Sequence, residues 1–104
     1  MRVELLWWDG CPSWPAALAE LKAIMAELGL DPESVETREI GSDEQAERER
    51  FPGSPTIRID GSDIVAANGE PASLTCRVYR LRDGRSSPTP DPADVRDAIE
   101  RRLA

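Results

Sequence analysis

A short apolar run near the N-terminus constrains the fold more than any other feature of this sequence. Residues 3–8 are apolar at every position except Glu4, and Asp9 and Gly10 end the run. A membrane span needs about 20 apolar residues, so a run this short fits a β-strand covered on both faces. Such a strand requires further elements on each side of its sheet, and the sequence therefore predicts an α/β fold.

An amphipathic helix is predicted after this strand, because apolar side chains recur at spacings of three and four over residues 16–28. Two starts are compatible with the sequence. Either Cys11 is the N-cap with Pro12 in the first turn, or Ser13 is the N-cap with Pro15 in the first turn. The second start is preferred, since in the first Pro15 would remove an early backbone hydrogen bond. Both starts place Cys11 within one turn of the helix N-terminus.

The rest of the chain predicts further strands and two more helices. In chain order these are a strand over 35–40, a short helix over 42–50, a strand over 56–60, a return strand at 64–65, a loop over 66–75, an extended segment over 76–82, and a final helix capped by Asp91. Asp60-Gly61 and Asp83-Gly84 are typical hairpin pairs. This order predicts one mixed four-stranded sheet flanked by helices on both faces, in a single domain over residues 1–104.

The composition limits the chemistry that the chain can perform. Its 104 residues include two cysteines, Cys11 and Cys76, and no histidine. The lack of histidine excludes Ser-His-Asp and Cys-His catalytic pairs, and two cysteines are too few for a four-cysteine zinc or iron–sulfur site. A net charge of −7 argues against nucleic acid and anionic membranes as partners. A thiol is the best nucleophile available, and no cofactor is predicted.

The sequence also predicts a compartment. The uninterrupted apolar run over residues 5–8 is too short for the core of a secretory signal, and Glu4 directly precedes it. We therefore expect a cytoplasmic protein. In that compartment, two cysteines are expected to be free, catalytic or metal-binding rather than joined in a structural disulfide.

Two proline-containing motifs lie at the ends of predicted strands. Residues 8–14 read WDGCPSW where the first strand ends and the helix opens, and residues 53–56 read GSPT before the third strand. Together with the element order, which covers nearly the whole chain, these motifs resemble the thioredoxin-fold superfamily, closest to the glutaredoxin-like and small bacterial thioredoxin-family proteins. A second resemblance is to short bacterial chains described as alkylmercury-lyase-like, which share the aromatic-Asp-Gly-Cys-Pro pattern.

The resemblance implies a role for each motif. Cys11 would be the redox-active nucleophile, and Pro55 would follow a cis peptide bond, face that thiol and keep stray metal from it. The backbone of Ser54 would pair with an extended partner and align the sulfur under attack. The partner would be a protein with a thiol or disulfide, or a small-molecule thiol. The implied substrate-binding residues are Pro12, Trp14, Ser54, Pro55 and Thr56.

One position departs from the family pattern. The second cysteine of the usual Cys-x-x-Cys motif is replaced by Trp14, so disulfide exchange inside the motif is impossible and the motif resembles that of a monothiol glutaredoxin. The place of Cys76 then decides whether the protein is a monothiol or a dithiol. The hairpin at residues 60–61 can return the chain so that Cys76 lies near Cys11, or Cys76 can begin the fourth strand at the far end of the sheet. Both placements are open.

The surroundings of the cysteines in the sequence suggest how reactive they are. A helix N-terminus lowers the pKa of a thiol, but no basic residue flanks Cys11 and Asp9 has the wrong charge, so a modest lowering is expected. Either cysteine can also be a small core residue. Arg77, Arg80 and Arg82 are interpreted as an exposed strand face rather than an anion site.

These observations lead to three hypotheses. The first is a thiol–disulfide oxidoreductase in which Cys11 attacks a disulfide or oxidised thiol, and Cys76 or an external thiol resolves the mixed disulfide. The second is a soft-metal protein whose two thiolates bind mercury, arsenite or copper(I). The third is a scaffold that keeps the fold without the chemistry.

Overall fold

The computed structural model describes residues 1–67 and 69–104 of the chain. The main sheet has four strands in the order β2-β1-β3-β4, with β1 parallel to β2, β3 antiparallel to β1 and β4 antiparallel to β3. The helices and strands are β1 (Val3–Trp7), α1 (Trp14–Glu27), β2 (Glu36–Glu39), α2 (Asp43–Glu49), β3 (Thr56–Ile59), β4 (Ser62–Asp63), β5 (Tyr79–Arg80), β6 (Ser86–Ser87) and α3 (Pro92–Leu103), with a 3₁₀ turn at Pro32–Ser34.

Strand β1 lies in the middle of the molecule with both faces covered, as its apolar sequence predicts. Leu5 packs in a core cluster with side chains of α1, β3 and α3, whereas Leu6 packs in a second cluster with Ala46 of α2 and Phe51. Both leucines are fully buried. Each buried leucine stabilises the fold by about 1.5–3 kcal/mol. Because successive side chains of β1 point to opposite faces of the sheet, this one strand packs against helices on both faces. The predicted mixed sheet with flanking helices is confirmed.

Glu4, the one charged residue of this strand, is also buried. Its Oε2 atom lies 2.9 Å from Nε of Arg38 on β2 and 3.3 Å from the Arg2 guanidinium, as ion pairs. On the neighbouring strand β3, Arg58 donates to Asp63 at 2.6 Å and to the backbone oxygen of Glu49 at 2.7 Å. Paired charges therefore fill the part of this face that the second apolar cluster does not reach.

The start of α1 follows the second of the two sequence interpretations. Ser13 is the N-cap and Pro15 lies in the first turn, where its missing N–H leaves no helical hydrogen bond unmade. The Ser13 side chain makes no capping hydrogen bond. Cys11 therefore lies in the turn between β1 and α1, two residues before the cap.

The second half of the chain differs more from the prediction. The hairpin turn is at Asp60 and Gly61, whose φ angles of +50° and +84° suit a two-residue turn. However, the return strand is at Ser62–Asp63 rather than 64–65. Of the predicted extended segment 76–82, only Tyr79–Arg80 is a strand, and it pairs with β6 in a separate small sheet. The predicted loop over 66–75 includes residue 68, which lies outside the described residues.

The lengths and compositions of the helices can be compared with those of a membrane-spanning helix. Among the described residues, none of the helices combines the length and the apolar composition needed to cross a bilayer.

Candidate functional site

Cys11 lies in a tight turn at the end of β1. Its backbone N–H donates to the Trp8 carbonyl at 3.1 Å, and its side chain is buried with 1% of the residue exposed. Glycine at position 10 lets the Trp8 ring take this position, because a Cβ there would lie 2.3 Å from the ring. The indole of Trp8 thus packs directly against the backbone of the turn. The turn therefore places the Cys11 thiol beside the start of α1.

The loop of residues 53–56, here called the cis-proline loop, lies against this turn. The Ser54–Pro55 peptide bond is cis, which is the geometry that the family resemblance implied. The Trp8 N–H donates to the Ser54 hydroxyl at 3.0 Å, and the Cys11 thiol donates to the Ser54 carbonyl at 3.4 Å. The Thr56 hydroxyl closes the loop by donating to the Gly53 carbonyl at 2.6 Å. These bonds bring Ser54, Pro55 and Thr56 to one place with Cys11.

Cys76 reaches the same place through a backbone bridge. The Ser54 N–H donates to the Thr75 carbonyl at 2.8 Å, and the Arg77 N–H donates to the Ser54 carbonyl at 2.9 Å. Ser54 and Cys76 are therefore paired as in a parallel strand bridge. Of the two placements that the sequence left open, the structure has the near one, with both cysteines free.

This bridge corrects one expectation. The backbone of Ser54 was expected to be available to an extended partner, but its N–H and its carbonyl both bond to the chain's own residues 75 and 77. The cis-proline loop and the 75–77 segment lie close together, since a Cβ at Gly53 would lie 3.1 Å from the backbone of Arg77. The physical reason is that residues 75–77 extend past the loop and occupy the edge that a partner strand would use.

Two side chains that the sequence analysis did not assign to the site anchor this segment. Arg77, interpreted as exposed, is buried, and it donates to the Val65 carbonyl at 2.8 Å and to the Tyr79 hydroxyl at 3.1 Å. The Tyr79 hydroxyl in turn donates to the Pro55 carbonyl. Burial raises the pKa of Tyr79 to about 12, so this hydroxyl keeps its proton over the usual pH range. The sequence does contain a signal for these two anchors, namely an arginine and a tyrosine two residues apart beside a cysteine.

The pKa values of the two thiols are shifted in opposite directions. Burial acts to raise the pKa of Cys11, but hydrogen bonds from the Cys76 thiol and from the backbone and hydroxyl of Ser13 outweigh it and hold that pKa below its ordinary value. The hydrogen bond to Cys11, with burial and the charge of the Cys11 thiolate, raises the pKa of Cys76. Of the two thiols, Cys11 is therefore the one that loses its proton first as the pH rises.

Two other residues implied as substrate-binding have different surroundings. Trp14 stacks on Trp7 with ring centroids 4.1 Å apart and packs against the core cluster of α1 and α3. Pro12 is exposed beside the Cys11 turn. The observed contacts thus give Trp14 a packing role, while the hydrogen-bonded cluster consists of Cys11, Ser54, Pro55, Thr56 and Cys76.

The exposed Cys76 borders two shallow clefts. One, of about 260 Å³, is lined with Val78, Ser86, Ser87 and Pro88 besides Cys76 and Arg77. The other, of about 240 Å³, lies on the side of Pro52, Glu70, Pro71, Ser73 and Thr75. In the part of the chain that the structure describes, no three Cys, Asp or Glu side chains are grouped so that they could hold a metal ion. The two thiols are soft ligands that lie near one another.

Comparisons with protein-family models, with curated proteins and with solved structures found no match to this chain.

Proposed function

We propose that the protein is a thiol–disulfide oxidoreductase with a thioredoxin-like fold, in which Cys11 and Cys76 are the redox pair. The observation that carries the proposal is the meeting of two free thiols across the cis-proline loop, close enough for each to shift the other's pKa. The strand order β2-β1-β3-β4 and the cis bond before Pro55 support the thioredoxin-like fold.

The chemistry follows from the opposite pKa shifts of the two thiols. A thiolate is the species that attacks a disulfide, and a lowered pKa increases the fraction of Cys11 that is thiolate at a given pH. The reduced pair transfers two electrons to an external disulfide through a mixed disulfide. The products are two external thiols and a Cys11–Cys76 disulfide. The proposed partners are a protein that carries a thiol or disulfide, or a small-molecule thiol, in the cytoplasm.

A redox titration tests this proposal. The chain is equilibrated in buffers of reduced and oxidised dithiothreitol, and intact mass then reports the loss of two hydrogens on disulfide formation. We expect a single two-electron transition, which is absent in Cys11→Ser and in Cys76→Ser, together with reduction of a chromogenic aryl disulfide by the wild type. A chain whose two thiols never join at any buffer ratio would contradict the proposal.

A second candidate is a soft-metal protein, and it is favoured by the same pair of adjacent thiols. Two thiolates suit mercury or copper(I), which accept two sulfur ligands, whereas arsenite would need a third from outside the pair. Stoichiometric binding of mercury(II) that needs both cysteines, in a chain that does not reduce disulfides, would support this candidate over the first.

A further inference from the structure

We propose that Cys76 is the sulfur that meets the external disulfide, and that Cys11 is the buried thiolate that resolves the mixed disulfide. This order is the reverse of the one that the family resemblance implies. It rests on the proposed function and adds to it the route of attack and the class of substrate.

The first argument is access. Disulfide exchange needs the attacking sulfur to approach along the S–S axis, so an external disulfide must come into contact with it. Cys11 is 1% exposed and faces the Ser54 carbonyl, whereas Cys76 is exposed. In the structure as it stands, only Cys76 can meet a molecule in solution.

The second argument is that the 75–77 segment beside Cys11 is firmly held against the cis-proline loop. Opening a path to Cys11 by moving this segment would break both backbone bonds between Ser54 and residues 75 and 77, and would expose the Arg77 guanidinium. That guanidinium is buried with bonds to the Val65 carbonyl and the Tyr79 hydroxyl. Leaving such groups without partners is costly, and a mixed disulfide at Cys76 avoids that cost because it needs no opening.

The third argument concerns the substrate. The Ser54 backbone, which an extended polypeptide would need for strand pairing, is already paired within the chain. What remains open around Cys76 is a pair of shallow clefts of about 260 and 240 Å³, the larger with Val78 and Pro88 in its lining. Clefts at or below the lower end of the size range for small-molecule sites, about 300 Å³, fit a low-molecular-weight disulfide.

The steps balance as follows. Cys76 loses its proton to solvent and attacks one sulfur of the small disulfide, which forms a Cys76 mixed disulfide and expels the first thiolate. The Cys11 thiolate then attacks the Cys76 sulfur, which forms the Cys11–Cys76 disulfide and expels the second thiolate. The two expelled thiolates take up the two protons that Cys76 and Cys11 release, so the small disulfide is reduced to two thiols and the protein pair is oxidised to a disulfide.

The experiment compares the two single-cysteine variants with 2-hydroxyethyl disulfide as the probe. Intact mass gives the rate of adduct formation, and peptide mapping gives its position. We expect Cys11→Ser to accumulate a stable adduct on Cys76, and the buried Cys11 of Cys76→Ser to react at least about tenfold more slowly. Adduct formation on Cys11 at an equal or higher rate would overturn the inference.

A second measurement on the wild type keeps the test independent of the variants. Brief treatment of the reduced native chain with iodoacetamide should label Cys76 before Cys11, while both label together in urea. Labelling of Cys11 first would count against the inference. The proposed function fails separately, if the wild type treated with excess probe forms no Cys11–Cys76 disulfide at all.

Discussion

The two cysteines are neighbours, yet different kinds of structure hold them. Cys11 lies in the turn between a buried strand and a 14-residue helix, so the elements beside it in the chain position it, and its thiol also donates to the Ser54 carbonyl. Cys76 belongs to neither a strand nor a helix. It is held by one bridge to Ser54 and by the side chains of Arg77 and Tyr79, which reach residues far away in the sequence. The comparison teaches that the position of one cysteine depends mainly on its neighbours in the chain, and the position of the other on tertiary contacts.

The largest effect is expected when the tertiary contacts that hold Cys76 are removed. Arg77→Met keeps an unbranched apolar side chain but leaves the Val65 carbonyl without its partner, so the free energy of unfolding should fall by about 2–3 kcal/mol in urea. The cysteines should also separate, and the pKa of Cys11 should then rise. Arg80→Met is the matched control, because the Arg80 side chain is exposed and its bond among the described residues is to the nearby Gly84 carbonyl. Equal stability in the two variants would contradict the anchoring role.

Gly53→Ala tests the same contact from the other side. The φ angle of Gly53 is +140°, and an added Cβ would lie 3.1 Å from the Arg77 backbone. Strain and displacement of the 75–77 segment together should lower the free energy of unfolding by about 1–3 kcal/mol. Gly41→Ala is the control, since its Cβ would meet nothing closer than 3.9 Å. Thermal unfolding of both variants decides the matter, and an unchanged Gly53→Ala melting temperature would refute the close approach.

Tyr79→Phe should have a smaller effect, a loss of about 1–2 kcal/mol for the hydrogen bond to the Pro55 carbonyl. The pH dependence gives a sharper signature. The pKa of Tyr79 is raised from 10.0 to about 12 in the folded chain, so its contribution is full below pH 10 and is lost as the pH rises toward 12. The wild type should therefore lose stability over that window more steeply than Tyr79→Phe, as urea titrations at successive pH values will show. Parallel pH profiles would be the contrary result.

The smallest change leaves the fold alone and alters only the pairing of the thiols. Cys76→Ala removes a hydrogen bond that lowers the pKa of Cys11, so that pKa should rise. Cys76→Ser keeps a hydroxyl donor at the position and should raise it less. Ultraviolet absorbance of the thiolate as a function of pH measures both. If alanine and serine gave the same Cys11 titration as the wild type, the two thiols would not be in contact.

The same contrast explains what the sequence predicts and what it does not. The apolar β1 run, the Ser13 start of α1 and the Asp60-Gly61 hairpin were readable because each depends on residues adjacent in the chain. The burial of Arg77 and the pairing of Ser54 with residues 75 and 77 were not, because both depend on where a segment without regular structure meets a distant loop. The same reason left the position of Cys76 open until the structure placed it.

The two outer strands of the main sheet have a consequence for how the chain meets other chains. At one edge of the sheet, the exposed residues of β2 include Glu36 and Glu39, and at the other edge β4 is only two residues long. Charged or very short edge strands are poor templates for pairing with a further strand, which is how native sheets avoid edge-to-edge association. The main sheet therefore disfavours strand addition at both edges, and a polypeptide that binds this protein has to recognise its side chains.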